Sequence, residues 1–300
     1  MRHSEVPVQG LTAAELRKHV GSYWATVQQV EIDYLQYIIL SGLSVGQQTV
    51  SAKHPNQASL LYAKGGTALQ KAGFTNRFSF DIDFSLGKRD IGQLSSIASV
   101  AQEELLRYGF ESTVTFREYR KHEVKHDTIG VKFRINGPLY HGSSRPSQRS
   151  QRVIVLDMGY RDKVLLDPIF PLITPELGYK IQPYSLQLMN PTEILAEKIR
   201  AILTRGNIRS TVSDSFDAWV LIGKGVALDM EVVKIKLATF GKRFDMNEFR
   251  KRIDAQGAVW NTVFEDGSRK ETGTYFRLPD IPNFNEVATM LLDLVASKRP

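Results

Sequence analysis

The sequence predicts an α+β protein in which a mixed sheet with flanking helices is followed by a mainly helical C-terminal half. Three observations carry that expectation. Short runs rich in β-branched and aromatic residues recur between residues 59 and 166, with one long helix-period stretch among them. From Pro191 onward, apolar residues recur at helical spacing instead. Between the two lies a segment, 167–189, that holds Pro168, Pro171, Pro175 and Pro183, where few regular elements can form. The resulting division is 1–58 for helices packing on the core, 59–185 for the α/β core and 186–300 for the helical domain.

Each element has its own local reason. Thr12 with Glu15 forms a capping-box pattern that starts a helix at about Ala13. Leu16, Val20, Tyr23 and Val27 continue its apolar stripe, and a second helix reaches Ile39. Strands are expected at 60–64, 78–86, 112–116, 128–135 and 153–158, with a short helical stretch at 68–72. A longer helix over 91–107 presents Ile97, Val100, Ala101 and Leu105 on one face. Asn190 is placed as an N-cap and Pro191 at the first helical position, which opens the helical half. The sequence contains no internal repeat.

Composition narrows the function classes. Hydrophobic residues make up 42% of the chain and charged residues 24%, the balance of a soluble globular protein. There is no cysteine, which excludes disulfides, thiolate catalysis and cysteine-based zinc sites and agrees with a cytoplasmic location. The first residues, Met1-Arg2-His3-Ser4-Glu5, do not read as a signal peptide. The apolar stretch 34–45 is interrupted by Gln36, Ser41 and Ser44 and is too short to span a bilayer.

A net charge of +7 favours a polyanionic partner. The cations cluster in three groups: Arg117, Arg120, Lys121 and Lys125; Arg145, Arg149 and Arg152; and Lys242, Arg243, Arg250, Lys251 and Arg252. The segment 136–151, rich in Gly, Ser and Pro, reads as a hairpin loop, and as a basic flap over RNA or nucleotide in a functional reading.

Chemistry concentrates in Lys64-Gly65-Gly66-Thr67 and Arg77-Phe78-Ser79-Phe80-Asp81-Ile82-Asp83-Phe84. On a strand, Ser79, Asp81 and Asp83 share one face and Phe78, Phe80, Ile82 and Phe84 the other. The two carboxylates then lie about 6.6–7 Å apart and converge on a cation. Asp81 follows Thr67 by fourteen residues, enough for a turn or two of helix and a return into a neighbouring strand. Glycines let backbone approach a ligand closely, and amide groups at a helix start favour an anion. A Gly-Gly pair alone is an ordinary turn, and an Asp-x-Asp alone an exposed strand end. Together they point to phosphate-binding backbone beside metal-binding carboxylates, the apparatus of phosphoryl and nucleotidyl transfer.

These two blocks resemble the AbiEii/AbiGii-type nucleotidyltransferase toxins, a branch of the DNA polymerase β-like superfamily. Further on, Glu193-Ile194-Leu195-Ala196-Glu197-Lys198-Ile199-Arg200-Ala201-Ile202-Leu203 with Arg205 is similar to the family's lysine-bearing helix. Asp214-Ser215-Phe216-Asp217 resembles its Asp-x-x-Asp element, although Ser213 stands where the family usually has an arginine and 207–213 reads as a lengthened connection. The match runs over roughly residues 60–223.

The resemblance implies a polymerase β-like nucleotidyltransferase core, a nucleoside triphosphate substrate, and Mg²⁺ or Mn²⁺ held by Asp81 and Asp83. A third acid on an adjacent strand is also implied, with Asp157, at the end of Val153-Ile154-Val155-Leu156, as the candidate and Asp167 as its competitor. Lys64, Gly65, Gly66, Thr67, Arg77, Ser79 and Lys198 are implied to bind the nucleotide. Lys198 would neutralise the triphosphate, and Asp217 would orient that lysine or contact substrate. Arg205 is a further phosphate candidate.

The family is one of toxins paired with antitoxins or serving phage defence, some of which add nucleotides to the 3′ end of tRNA. The expected function is therefore transfer of a nucleotide to an RNA acceptor such as tRNA, with release of pyrophosphate. The alternatives are nucleotidylation of a protein hydroxyl, on an antitoxin or a cellular target, and a non-catalytic nucleotide- or RNA-binding module. One motif is set aside: His122-Glu123-Val124-Lys125-His126 has the zinc-protease pattern but sits in a short, charged stretch between strands, with only His141 as a later histidine.

Overall fold

The computed structural model of the chain describes residues 8–21, 26–54, 61–118, 128–140, 151–161, 163–175, 177–269 and 282–298. The His122-to-His126 motif, Arg120, Lys121, Arg145, Arg149, His141 and most of the 136–151 loop lie outside the described residues. The chain forms two compact units. One comprises Met1–Ala63, Phe80–Lys163 and Phe170–Gln187, and the other Lys64–Ser79, Val164–Ile169 and Leu188–Pro300. Residues 64–79 and 164–169 thus group with the helical unit.

The first unit is built on a five-stranded mixed sheet. Its strands are β1 (Leu61–Lys64), β2 (Ile82–Leu86), β3 (Ser112–Glu118), β4 (Thr128–Ile135) and β5 (Arg152–Gly159), in the order β1-β2-β5-β4-β3. β2 and β5 run parallel, whereas β5 with β4 and β4 with β3 run antiparallel. The apolar residues alternate as a half-buried sheet requires. Ile82, Phe84, Val131, Phe133, Ile154, Leu156 and Met158 are each at most 2% exposed.

Helices α1 (Ala13–Arg17), α2 (Val27–Lys53) and α4 (Ile91–Arg107) complete this unit. The backbones of α2 and α4 meet at glycines. A Cβ on Gly42 would lie 2.5 Å from Ala101 Cα, and one on Gly46 3.0 Å from Ile97 Cα, so only glycine permits this approach. A two-stranded sheet, β6 (Leu172–Ile173) with β7 (Tyr184–Ser185), follows.

Two expectations are corrected in this unit. The first helix ends at Arg17 rather than continuing through Val27, because Gly21 adopts φ +82° and Thr26 opens a new helix with its own capping box to Gln29. α2 then runs well past Ile39. Its buried polar residues are the reason the apolar pattern there is broken, since each has a partner. Glu31 accepts from Leu139 N at 2.7 Å and pairs with Arg152, Asp33 accepts from Tyr179 Oη at 2.8 Å, and Gln47 donates to Gln187 at 2.7 Å. The second correction is β2, which begins at Ile82 rather than 78. Gln36 Nε2 donates to the Phe80 carbonyl at 2.9 Å just before it, a bond the ladder does not make.

The second unit contains α3 (Gly65–Lys71) and the helices α5 (Pro191–Thr204), α6 (Ile208–Gly223), α7 (Met230–Ala238), α8 (Met246–Gly257), α9 (Trp260–Arg269) and α10 (Phe284–Ser297). α5 is the central helix, contacting α6, α7 and α8. Its predicted stripe, Leu195, Ile199 and Ile202, is fully buried. Asn190 caps it as expected, accepting from Thr192 N at 3.0 Å. The stretch 207–213 is no connection: Asn207 caps α6, and Ile208 to Ser213 form its opening turns. Among the described residues no helix is long and apolar enough to cross a membrane.

Candidate functional site

In the first unit the pleat aligns acids on one face. Asp83 of β2 and Asp157 of β5 are direct register partners in a parallel pair. Their side chains therefore leave the sheet on the same side, and both are half-buried, whereas flanking Ile82, Phe84, Leu156 and Met158 are buried opposite. Asp81 lies just before β2 and is exposed. Although the residue as a whole is exposed, neighbouring protein withdraws enough water from its carboxyl to raise it. Asp157 is raised by burial first and then by the charge of Asp81, so these two carboxylates are close enough to repel. Among the described residues no three His, Cys, Asp or Glu side chains gather closely enough to hold a metal on their own. The arrangement is two facing carboxylates with a third nearby. Asp167, the competing acid, is exposed in the other unit, and its carbonyl accepts from Asn190 Nδ2 at 3.1 Å.

In the second unit the paired glycines open α3. Gly65 has φ +75°, the left-handed region that glycine enters without strain. Lys64, at the N-cap, makes no side-chain cap of its own. Gly66 has a packing reason to be glycine. A Cβ there would strike Arg77 Nη2 and lie 2.9 Å from Ser79 Oγ. Thr67 is fully buried and its hydroxyl donates to the Ser79 carbonyl at 3.3 Å, which fastens the turn to the segment that carries Arg77. Gly66→Ala is accordingly expected to cost about 1–3 kcal/mol, because Arg77 is anchored and cannot yield cheaply. Urea unfolding of this variant, alone and combined with Arg77→Ala, checks it: the double variant should show less than the summed loss.

Arg77 is anchored by Asp217. Its Nε and Nη2 donate to the two carboxylate oxygens at 2.9 and 2.7 Å, with Asp217 wholly buried. Lys198 Nζ completes the set, 2.8 Å from Asp217 and 3.0 Å from Asp214, and Arg205 Nε stands 3.2 Å from Asp214. Three cations thus share two carboxylates. Lys198 is buried, and Arg205 is the half-exposed outer end. Burial acts against both charges. For Asp217 the charges of Arg77 and Lys198 outweigh it and hold the carboxyl below its usual range, while Asp217 and Asp214 together raise Lys198.

A second network was not legible beforehand. Glu197 accepts from Lys64 Nζ at 2.9 and 3.2 Å and pairs with Lys236 of α7 at 3.1 Å. Lys236, only 1% exposed, also pairs with Glu193 at 2.6 Å. Glu193 in turn accepts from the amides of Leu165 and Leu166 at 2.9–3.1 Å. Burial would raise Glu197, but Lys64, Lys236 and Arg200 hold it well below the carboxylate range. Glu193 and Glu197, four apart on α5, carry a helical spacing that could have pointed to a shared partner. Lys236 carries no signal, since a lone helical lysine reads as solvated.

These shifts set the acid limit of the second unit. Glu197 and Asp217 are depressed, so their contribution is present above about pH 4 and is lost as pH falls through their lowered values. Lys198 and Lys236 are raised, so theirs is complete below about pH 10 and is lost only above it. Stability followed by the fluorescence of buried Trp260 should therefore be flat from about pH 5 to 9 and fall below about pH 4.

Comparison with known proteins identifies the class. The chain is a nucleotidyltransferase. It belongs to the AbiEii family of nucleotidyl transferase toxins of type IV toxin–antitoxin systems, whose model matches residues 51–288. Among solved structures, it is similar to JHP933 from Helicobacter pylori, with 15% identity, 91% of this chain and 92% of that chain covered and a TM-score of 0.44. It is also similar to MenT4, a nucleotidyltransferase toxin from Mycobacterium tuberculosis, with 17% identity, 94% and 99% coverage and a TM-score of 0.42. No curated protein sequence matches it.

Proposed function

We propose that this protein transfers a nucleotide from a nucleoside triphosphate to the terminal hydroxyl of an RNA, tRNA being the leading candidate, with Mg²⁺ as cofactor and release of pyrophosphate. The observation that carries this reading is the register pairing of Asp83 with Asp157 on an outward sheet face, with Asp81 beside them. The donor set fits Mg²⁺, which takes oxygen ligands and is commonly held by one or two carboxylates together with substrate phosphates. Asp83 and Asp157, with Asp81, would hold it. When bound, the cation neutralises the α-phosphate and acidifies the attacking hydroxyl.

In the transfer, the RNA oxygen forms a bond to the α-phosphorus, and the bond between that phosphorus and the bridging oxygen breaks. Pyrophosphate departs with the bonding pair, and the hydroxyl proton leaves to a carboxylate of the acidic group. Lys64, Gly65, Gly66, Thr67, Arg77, Ser79 and Lys198 are assigned to the nucleotide in this reading. Thr67 acts by holding the turn, since its hydroxyl is committed to Ser79. Arg77, Asp217, Lys198, Asp214 and Arg205 together retain one net positive charge, which favours a phosphate at the half-exposed Arg205 end.

The net charge of +7 supports an RNA acceptor. Incubation with each α-labelled nucleoside triphosphate and total RNA tests the assignment. Label in RNA that requires Mg²⁺ is expected. Label appearing only in protein would move the acceptor to a protein hydroxyl, on an antitoxin or another target.

A further inference from the structure

The strand register maps the whole outward face of the first unit's sheet. Asp157 opposes Gly130 of β4, and Gly130 opposes Arg117 of β3, so the carboxylate row continues into a cation. One step along, Val155 opposes Lys132, which opposes Thr115. In the following row, Val153 opposes Arg134, which opposes Thr113. Alternation places all of these on the side that carries Asp83. Their strand neighbours on the other side, such as Val131, Phe133 and Leu156, are completely buried. Arg117, Arg134, Thr113 and Thr115 are exposed, and Lys132 is half-buried. The face is therefore acidic where β2 meets β5 and basic across β4 and β3.

We propose that this face is the docking surface for the single-stranded 3′ end of the RNA acceptor. Its backbone lies across β4 and β3 on Lys132, Arg134 and Arg117, and its terminal hydroxyl reaches Asp83 and Asp157. The inference rests on the transfer reading above and adds the path of the acceptor. Neighbouring strands are about 4.7–4.9 Å apart, so Arg117 stands two strands, or about 10 Å, from Asp157. That is the scale of a nucleotide or two, and Gly130, itself buried, puts no side chain of its own between them.

A free triphosphate is compact and gains little from cations spread away from the carboxylates. A polyanion that extends from the reacting end uses all of them. Each of the three rows offers a single cation, which matches one backbone rather than the two of a duplex. Thr113 and Thr115 add hydroxyls for phosphate or ribose. No aromatic ring lies on these rows, and Phe116 belongs to the opposite side. These rows therefore recognise backbone and sugar, tolerant of sequence and sensitive to salt.

The test uses the full chain, a short 5′-fluorescein single-stranded RNA with a free 3′ hydroxyl, and anisotropy titrations between about 50 and 200 mM salt. Lys132→Glu with Arg134→Glu should weaken RNA binding at least tenfold. With each phosphate contact worth about 0.7 in the slope of log K against log salt, the slope should shrink by about 1.4. Affinity for a fluorescent nucleoside triphosphate should stay unchanged. Lys132→Gln with Arg134→Gln should give an intermediate loss, which guards against a folding defect, and far-ultraviolet circular dichroism verifies the fold.

Unchanged RNA affinity and slope in the charge-reversed chain would overturn the inference, and is also what a face that docks protein would give. Full transfer to RNA by that variant would overturn the docking path while leaving the transferase reading intact. RNA binding that depends on both cations in a chain that transfers no nucleotide would uphold the docking face and remove the transferase reading.

Discussion

Lys236→Met is expected to lower the stability of the helical unit by about 3–5 kcal/mol, the usual consequence of removing one partner from a buried ion pair. Methionine fills the space of the lysine stem, so the loss is electrostatic rather than a cavity. Lys236 is only 1% exposed and stands 2.6 Å from Glu193 and 3.1 Å from Glu197. Glu197 would keep Lys64. Glu193 would keep only the amides of Leu165 and Leu166, which leaves a buried carboxylate without a countercharge. Adding Glu193→Gln should therefore recover part of the loss, since the neutral amide still accepts from both backbone groups. Urea unfolding followed by Trp260 fluorescence measures both variants. A loss under about 1 kcal/mol for Lys236→Met would mean that the charges are hydrated rather than buried.

The second large effect has the opposite signature. Asp157→Asn is expected to reduce nucleotide transfer by at least about 10²–10³-fold, the scale at which a single electrostatic group in an active site acts. It should not destabilise the fold. Burial and the charge of Asp81 both raise the Asp157 carboxyl, so the ionised form present at neutral pH costs folding free energy that a neutral amide does not. Activity lost together with equal or higher thermal stability is the mark of a group retained for chemistry. Transfer within tenfold of the parent would remove Asp157 from the acidic group and turn attention to Asp81 and Asp83 alone.

Much of the fold was readable because its elements are locally consistent. The 128–135 strand and the 91–107 helix fall where their apolar periods put them, as does the Asn190–Pro191 helix start. What was misread has identifiable physical causes. α2 buries Glu31, Asp33, Gln36 and Gln47 in specific bonds, so a pattern that expects polar residues outside breaks the helix too early. The entrance to β2 is shortened because Arg77 is committed to Asp217 and Phe80 to Gln36, interactions between residues far apart in sequence. Asn207 to Ser213 looks like loop by composition, but Asn207 caps a helix whose buried face begins with Thr211 and Val212.

The candidate site follows the same division. Asp-x-Asp and Gly-Gly carry local chemistry and could be singled out directly. The pairing of Asp83 with Asp157 needs the strand order, which no local pattern encodes. Lys198 shows the limit of reading a cation by type: its charge is already shared between Asp214 and Asp217, a fact visible only in three dimensions.

Whether the acids on the outward sheet face drive nucleotidyl transfer is decided by the fate of an α-labelled nucleoside triphosphate. The parent chain and Asp83→Asn, matched for folding by far-ultraviolet circular dichroism, are each incubated with the four labelled nucleotides, total RNA and Mg²⁺. The parent is expected to label RNA only when Mg²⁺ is present, and Asp83→Asn to label nothing above background. Equal labelling by the two proteins would contradict that role for the acids.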